Sequence, residues 1–168
     1  MVWVNAKLKS VPDHAGDLFF TSEPLGNPGS SHSAATPFMR STDGAASWNA
    51  VPGVLEVRAF GFGRSRTDYP MIFIDGWVHN EYGIWQSEDA AKTWRRIGEL
   101  PLGSLDAVKV IEGDQNITGL VYPGFGGSGF AYGAPTSSQL NGGGDVRPGD
   151  LRKREYQMEW PKMMKRCW

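Results

Sequence analysis

The sequence predicts an all-β chain, a partial β-propeller of two to three four-stranded blades in an incomplete ring. Three observations carry this. An eight-residue box, Ser41-Thr42-Asp43-Gly44-Ala45-Ala46-Ser47-Trp48, recurs 46 residues later as Ser87-Glu88-Asp89-Ala90-Ala91-Lys92-Thr93-Trp94. Short apolar runs bounded by turn residues fill each period, and no segment holds a helical stripe over ten residues. Glycine (22 residues), proline (11) and a 12% aromatic content suit strands and turns better than helices. A unit of about 46 residues with about four strands has the size of a propeller blade.

The elements follow in order. Turn residues at 13–16 precede a strand over 17–21, and Asn27-Pro28-Gly29 marks the next turn. Pro37-Phe38-Met39-Arg40 leads into the first box. Runs at 56–62 and 71–74 are strands, and Asp75-Gly76 is read as a hairpin turn. Gly83-Ile84-Trp85-Gln86 leads into the second box, as the first leader does. Strands at 107–111 and 117–122 flank Gly113-Asp114. One more step of 46 from Gly83 reaches Gly129, and Gly129-Phe130-Ala131-Tyr132-Gly133 repeats the leader strand a third time, without a box after it.

Composition divides the chain into three parts. Residues 1–134 form the partial propeller. Residues 135–150, with Gly142-Gly143-Gly144 and Pro148-Gly149, have linker composition. Residues 151–168 carry six basic and two acidic side chains, whereas residues 1–150 carry eleven and sixteen. This tail shows no clean period and is broken by Pro161, so it is expected to be loosely structured. It reads as a solvated basic end, as a partner-binding arm, or as sequence with no selected role.

The balance of charge, -1 overall, argues against a general nucleic-acid binder. No apolar run approaches the ~18 residues of a membrane helix. The first five residues show neither a charged n-region nor an apolar h-region, so no secretory signal is read there, and localisation stays unassigned. The single Cys167 excludes an internal disulfide framework. His14, His32 and His79 show no metal spacing, and no cofactor motif is present. Gly124-Phe125-Gly126-Gly127-Ser128-Gly129 fits G-x-G-x-x-G, but a strand follows where a dinucleotide site needs a helix. Asn116-Ile117-Thr118 is an N-glycosylation sequon, meaningful only in a secreted eukaryotic chain.

The boxes have a local physical reading. Serine and aspartate accept hydrogen bonds from the amides of a tight turn, and Ser47 or Thr93 closes it from the far side. Trp48 and Trp94 then start the next strand and fix where the turn sits. Ser41, Asp43, Ser47, Trp48, Ser87, Asp89, Thr93 and Trp94 are therefore expected to be structural, stapling the outer hairpin of a blade. Asp75, Glu81 and Glu88 are the carboxylates nearest aromatic residues, and they form a weak rival acid set. Trp77, Tyr82 and Phe125 lie at or beside turns, where an exposed ring can stack on sugar. The alternative is that they pack against neighbouring blades.

The pattern S-x-D-x-G-x-[ST]-W resembles the Asp-box, or BNR repeat, of sialidases and other propellers. Ala45 and Ala91 stand where the pattern has glycine. If that position needs φ > 0, each alanine costs about 1 kcal/mol. A narrower resemblance runs over residues 11–134. It joins Gly16-Asp17-Leu18-Phe19, the first box, Ala59-Phe60-Gly61-Phe62-Gly63, Tyr69-Pro70-Met71-Ile72-Phe73 and Gly83-Ile84-Trp85-Gln86-Ser87 with its box. Gly113-Asp114 with Gly119, Val121 and Tyr122 follows, and then residues 127–133. In that order these elements resemble the C-terminal part of the propeller of glycoside hydrolase family 74, the xyloglucanases and related endo-β-1,4-glucanases. Ser128, often arginine in the family, and the tail depart from the pattern.

The resemblance implies two seven-bladed propellers facing across a cleft in the whole enzyme, typically secreted. It implies hydrolysis of the β-1,4-glucan backbone of xyloglucan with inversion. Inversion needs two carboxyl groups ~6.5–9.5 Å apart. In the family each aspartate lies near the start of its own propeller. The stretch here resembles only the last two to three blades, so neither aspartate carries over, and no catalytic residue is assigned. A fragment inactive by itself is the expected function, with β-glucan, xyloglucan or the missing propeller blades as partners. The alternative is a non-catalytic Asp-box module that binds protein or glycan. Two or three blades would leave unpaired sheet edges and an open face.

Overall fold

The computed structural model describes residues 6–22, 37–98, 107–127, 129–135 and 156–159. The turn expected at Asn27-Pro28-Gly29, residue Ser128, His32, and all of the linker and tail except Pro135 and residues 156–159 lie outside them. Among the described residues, twelve strands make three four-stranded sheets, each an antiparallel meander in chain order. The first sheet holds β1 (Ala6–Ser10), β2 (Leu18–Ser22), β3 (Met39–Ser41) and β4 (Asn49–Ala50). The middle sheet holds β5 (Val54–Gly63), β6 (Met71–Val78), β7 (Glu81–Ser87) and β8 (Arg95–Gly98). The third holds β9 (Val108–Gly113), β10 (Val121–Phe125), β11 (Tyr132–Pro135) and β12 (Tyr156–Glu159). The described residues contain no helix, and the chain is all-β.

Alternation explains the stacking. Phe19 and Thr21 of β2 point inward and are fully buried, while Leu18 and Phe20 between them keep exposure on the far side. Phe19 and Phe38 stack with centroids 5.1 Å apart, and Phe38 meets Phe60 edge-on at 5.1 Å. These rings, with Phe62, Ile72, Ile74 and Trp85, form the core between the first and middle sheets. A second core, around Met71, Phe73, Ile84, Ile111 and Val121, lies between the middle and third sheets. The Ala-Phe-Gly-Phe-Gly run thus has a packing meaning. Phe60 and Phe62 face the first sheet. Gly61 lets β9 approach so closely that a Cβ there would stand 2.0 Å from the Ile111 carbonyl oxygen.

Asp75-Gly76 is not a turn. Both residues lie inside β6, opposite Ile84 and Gly83 of β7. The hairpin turns instead at His79-Asn80, with φ of 48° and 67°. Two successive left-handed residues make the I′ turn that matches strand twist, and asparagine tolerates it. Gly76 serves a different need: a Cβ on it would lie 2.1 Å from the Glu56 carbonyl oxygen of β5.

Three other differences concern the ends of the repeat. β1 had no sequence signal and forms by pairing along the whole of β2. Ile117, expected in a strand, sits in the turn before β10. There Asp114 Oδ1 accepts the N–H groups of Asn116 (2.7 Å) and Ile117 (2.8 Å). The segment expected to be a loose tail supplies β12, paired with β11 from Tyr132 opposite Glu159 to Pro135 opposite Tyr156. The third unit lacks a box to lead a fourth strand back. The unpaired amides and carbonyls of β11 take their partner from farther along the chain.

Candidate functional site

The two boxes build the same knot at the β3–β4 and β7–β8 connections. Ser41 Oγ donates to Asp43 Oδ1 (2.8 Å) and accepts the Ala45 N–H (2.9 Å). Asp43 accepts the Ser47 N–H (2.9 Å) and hydroxyl (2.6 Å). In the second box Ser87 Oγ donates to Asp89 (2.9 Å) and accepts the Ala91 N–H (3.0 Å). Asp89 accepts the Thr93 N–H (2.9 Å) and hydroxyl (2.6 Å). The hydroxyl and amide of Ser47, with the Ser41 hydroxyl, hold the Asp43 carboxyl down at about 2. At Asp89 burial pushes upward, but the bonds from Thr93 and Ser87 leave it lowered. A carboxylate held this firmly in its ionised form has no proton to deliver as a general acid.

Ala45 and Ala91 both adopt the left-handed backbone, φ 71° and 66°, and Ala90 beside the latter has φ 60°. The alanines therefore sit where the pattern's glycine is conformationally favoured. Trp48 is half-buried with its edge toward Phe20 at 6.1 Å, and Trp94 is half-buried against the first core.

Of the three rings considered for sugar stacking, Tyr82 is ruled out: it is 5% exposed. It shares a sheet face with Ile84, and its hydroxyl donates to both oxygens of Asp75 at 2.9 and 3.1 Å. Trp77, 5.7 Å from Tyr82, and Phe125 are half-buried and pack on the second core. Each keeps only part of its surface in solvent.

The rival acid set is dispersed. Asp75 is fully buried, and loss of solvent lifts its carboxyl to about 7 against the bonds from Tyr82 and the charge of Arg58. Glu56 and Arg58 form a buried ion pair nearby, with 3.0 Å between Oε1 and Nε. Glu81 lies opposite Val78, which belongs to the first core, whereas Asp75 lies opposite Ile84 of the second. The two carboxyls thus project from opposite faces of the middle sheet. Glu81 is exposed and paired with Arg96 at 2.8 Å, and the Gln86 amide reaches Glu88 at 3.5 Å. No pair among these flanks a space for substrate and water. Among the described residues no cluster of three or more His, Cys, Asp or Glu is arranged for a metal ion.

One constellation had no local signal. Arg40 donates to both oxygens of Asp17 (2.9 and 2.6 Å), to the Ala90 carbonyl (2.8 Å) and to the Tyr69 hydroxyl (3.2 Å). Tyr69 in turn donates to Asp17 at 2.7 Å. The pair with Asp17 raises the Arg40 pKa above its ordinary value. This clamp ties the first sheet to the β5–β6 loop and to the second box. Its members are the aspartate of Gly16-Asp17-Leu18-Phe19, the arginine before the first box and the tyrosine of Tyr69-Pro70. The separate elements of the resemblance meet in one place.

No family model matches the chain. A xyloglucanase of Paenibacillus sp. is 31% identical over 150 residues, 86% of this chain and 13% of that protein. The xyloglucanase Xgh74A of Acetivibrio thermocellus is 38% identical over 81 residues, 47% of this chain and 10% of that protein. The crystal structure of the Niastella koreensis GH74 enzyme superposes with a TM-score of 0.55 at 26% identity, over 72% of this chain and 17% of that one. The chain therefore spans 10 to 13% of the length of these curated relatives. It corresponds to a portion of a glycoside hydrolase family 74 propeller. No helix among the described residues is long and apolar enough to cross a membrane.

Proposed function

We propose that the chain serves as a non-catalytic scaffold portion of a xyloglucan-hydrolysing, β-1,4-glucan-directed propeller, and that it does not turn over xyloglucan by itself. The observation that carries this reading is the state of its carboxylates. Those of the boxes are ionised and saturated with hydrogen bonds. The one raised into the range of a general acid, Asp75, is sealed in the core with its oxygens on Tyr82. Inversion needs an acid and a base facing one water across an open cleft. The relatives are xyloglucanases by name, which makes a β-glucan the glycan to test. The boxes act here as staples of the outer hairpins. Of the three rings placed near turns, Trp77 and Phe125 alone keep surface on which a sugar could stack. The test is a reducing-sugar assay of the purified chain on xyloglucan and on unbranched β-1,4-glucan. No turnover is expected. Turnover that vanishes in Asp75→Asn or Glu81→Gln would overturn the reading.

A further inference from the structure

We propose that the chain associates with a second copy of itself, the free face of its first sheet packing on the free face of the partner's third sheet, to close a six-bladed ring. The two free faces are apolar in the way the covered ones are. On the first sheet Leu8 stands opposite Phe20, and Phe20 opposite Met39, in one cross-strand row. Leu8 is 58% exposed. On the third sheet Val110 stands opposite Gly124, which bridges to Phe130. Val110 and Phe130 are 58% and 60% exposed.

The repeat itself says what such positions are for. Forty-six residues after Met39 comes Trp85, 6% exposed and part of the core against the first sheet. Forty-six residues before Phe130 comes Ile84, fully buried in the core against the third sheet. The outer sheets thus display apolar residues at the positions the middle sheet buries on each side. A first-sheet face against a third-sheet face continues the interface already made twice within the chain. The contact is heterologous, since two different surfaces meet, and heterologous contacts close when the rotation per unit allows. Three blades from each copy give six, within the four to eight that closed propellers use. This pairing is independent of any catalytic reading.

The experiment is sedimentation velocity on the full chain at increasing micromolar concentration, with Leu8→Glu and Val110→Glu as variants. Both sites are exposed, and unchanged melting curves will establish that the variants fold. The expected result is a species of twice the chain mass for the native chain and monomers for each variant alone. An equimolar mixture of the two variants is expected to recover a dimer, because one copy keeps an intact first-sheet face and the other an intact third-sheet face. A native chain that stays monomeric would overturn the proposal, even if it captured a separately supplied blade. So would a dimer lost in one variant but kept in the other, which would indicate like faces meeting, or an open polymer, which would indicate a rotation that does not close.

Discussion

The middle sheet and its two neighbours come from one repeat but live in different settings. The middle sheet is covered on both sides, and its first three strands run ten, eight and seven residues. Its polar residues are sealed in: Glu56, Arg58 and Asp75 are each at most 2% exposed. The first and third sheets are covered on one side only, and their longest strands reach five and six residues. The strand pattern is set by local sequence. How much each position matters is set by whether a neighbouring sheet lies over it.

Glycine substitutions should separate the two settings most widely. Gly76→Ala in β6 would drive a methyl onto the Glu56 carbonyl oxygen at 2.1 Å, where only backbone movement relieves the clash. A loss of about 3 kcal/mol or more is expected in urea unfolding. Gly124→Ala in β10 meets only the end of the Val110 side chain, at 2.8 Å, on the free face. Its cost should stay within about 0.5 kcal/mol. Equal losses would mean that the third sheet is as tightly covered as the middle one.

Buried charge is the next contrast. The Asp75 carboxyl titrates at about 7 in the fold, above its ordinary value of 3.8, because burial penalises the ion. The neutral acid is the form the fold favours. Stability from this group is therefore full below about pH 4 and declines as pH rises through 7. The ceiling is about 4 kcal/mol, at about 1.36 kcal/mol for each tenfold change in proton affinity. Asp75→Asn should gain on the native chain across that window, read as the difference in Tm between pH 4 and pH 8. Asp114, in the third sheet, is shifted the other way by the amides of Asn116 and Ile117. Asp114→Asn should lose stability relative to the native chain as pH rises from the acid range toward neutrality. A shared sign would break the contrast.

The boxes give the smallest effect. Ala45→Gly relieves a left-handed alanine on an exposed turn and should stabilise by about 1 kcal/mol. Ala91→Gly relieves the same strain but removes a methyl that is 4% exposed in the first core. At about 0.8 kcal/mol per buried carbon the two effects nearly cancel. Melting of the two variants side by side checks this difference.

Much of the architecture was legible because its signals are local. The box at a 46-residue offset marks two outer hairpins, and Gly129 onward marks the third strand of the last sheet. Asp75-Gly76 misled because an Asp-Gly pair is also the commonest hairpin signal, and nothing within a few residues announces that β5 passes so close. Tyr82 was open to correction from alternation alone, since it lies two residues from the apolar Ile84. The clamp could not be read at all: Asp17, Arg40 and Tyr69 lie 23 and 29 residues apart, and only the stacking of two sheets brings them together. β12 was invisible for a related reason. Its partner edge selects it, not its own composition.

That last strand affects the order in which the chain can assemble. In the first two sheets seven residues separate the third strand from the fourth, and the box ties that loop itself. In the third sheet twenty residues separate Pro135 from Tyr156. Closing the longer loop costs about 1 kcal/mol more in chain entropy, with no Ser-Asp knot to offset it. On a ribosome the first two sheets can form as they emerge, each from a continuous stretch. The third must wait, with the edge of β11 open, until the chain has grown past Glu159. During that interval any strand-forming segment within reach competes for the edge.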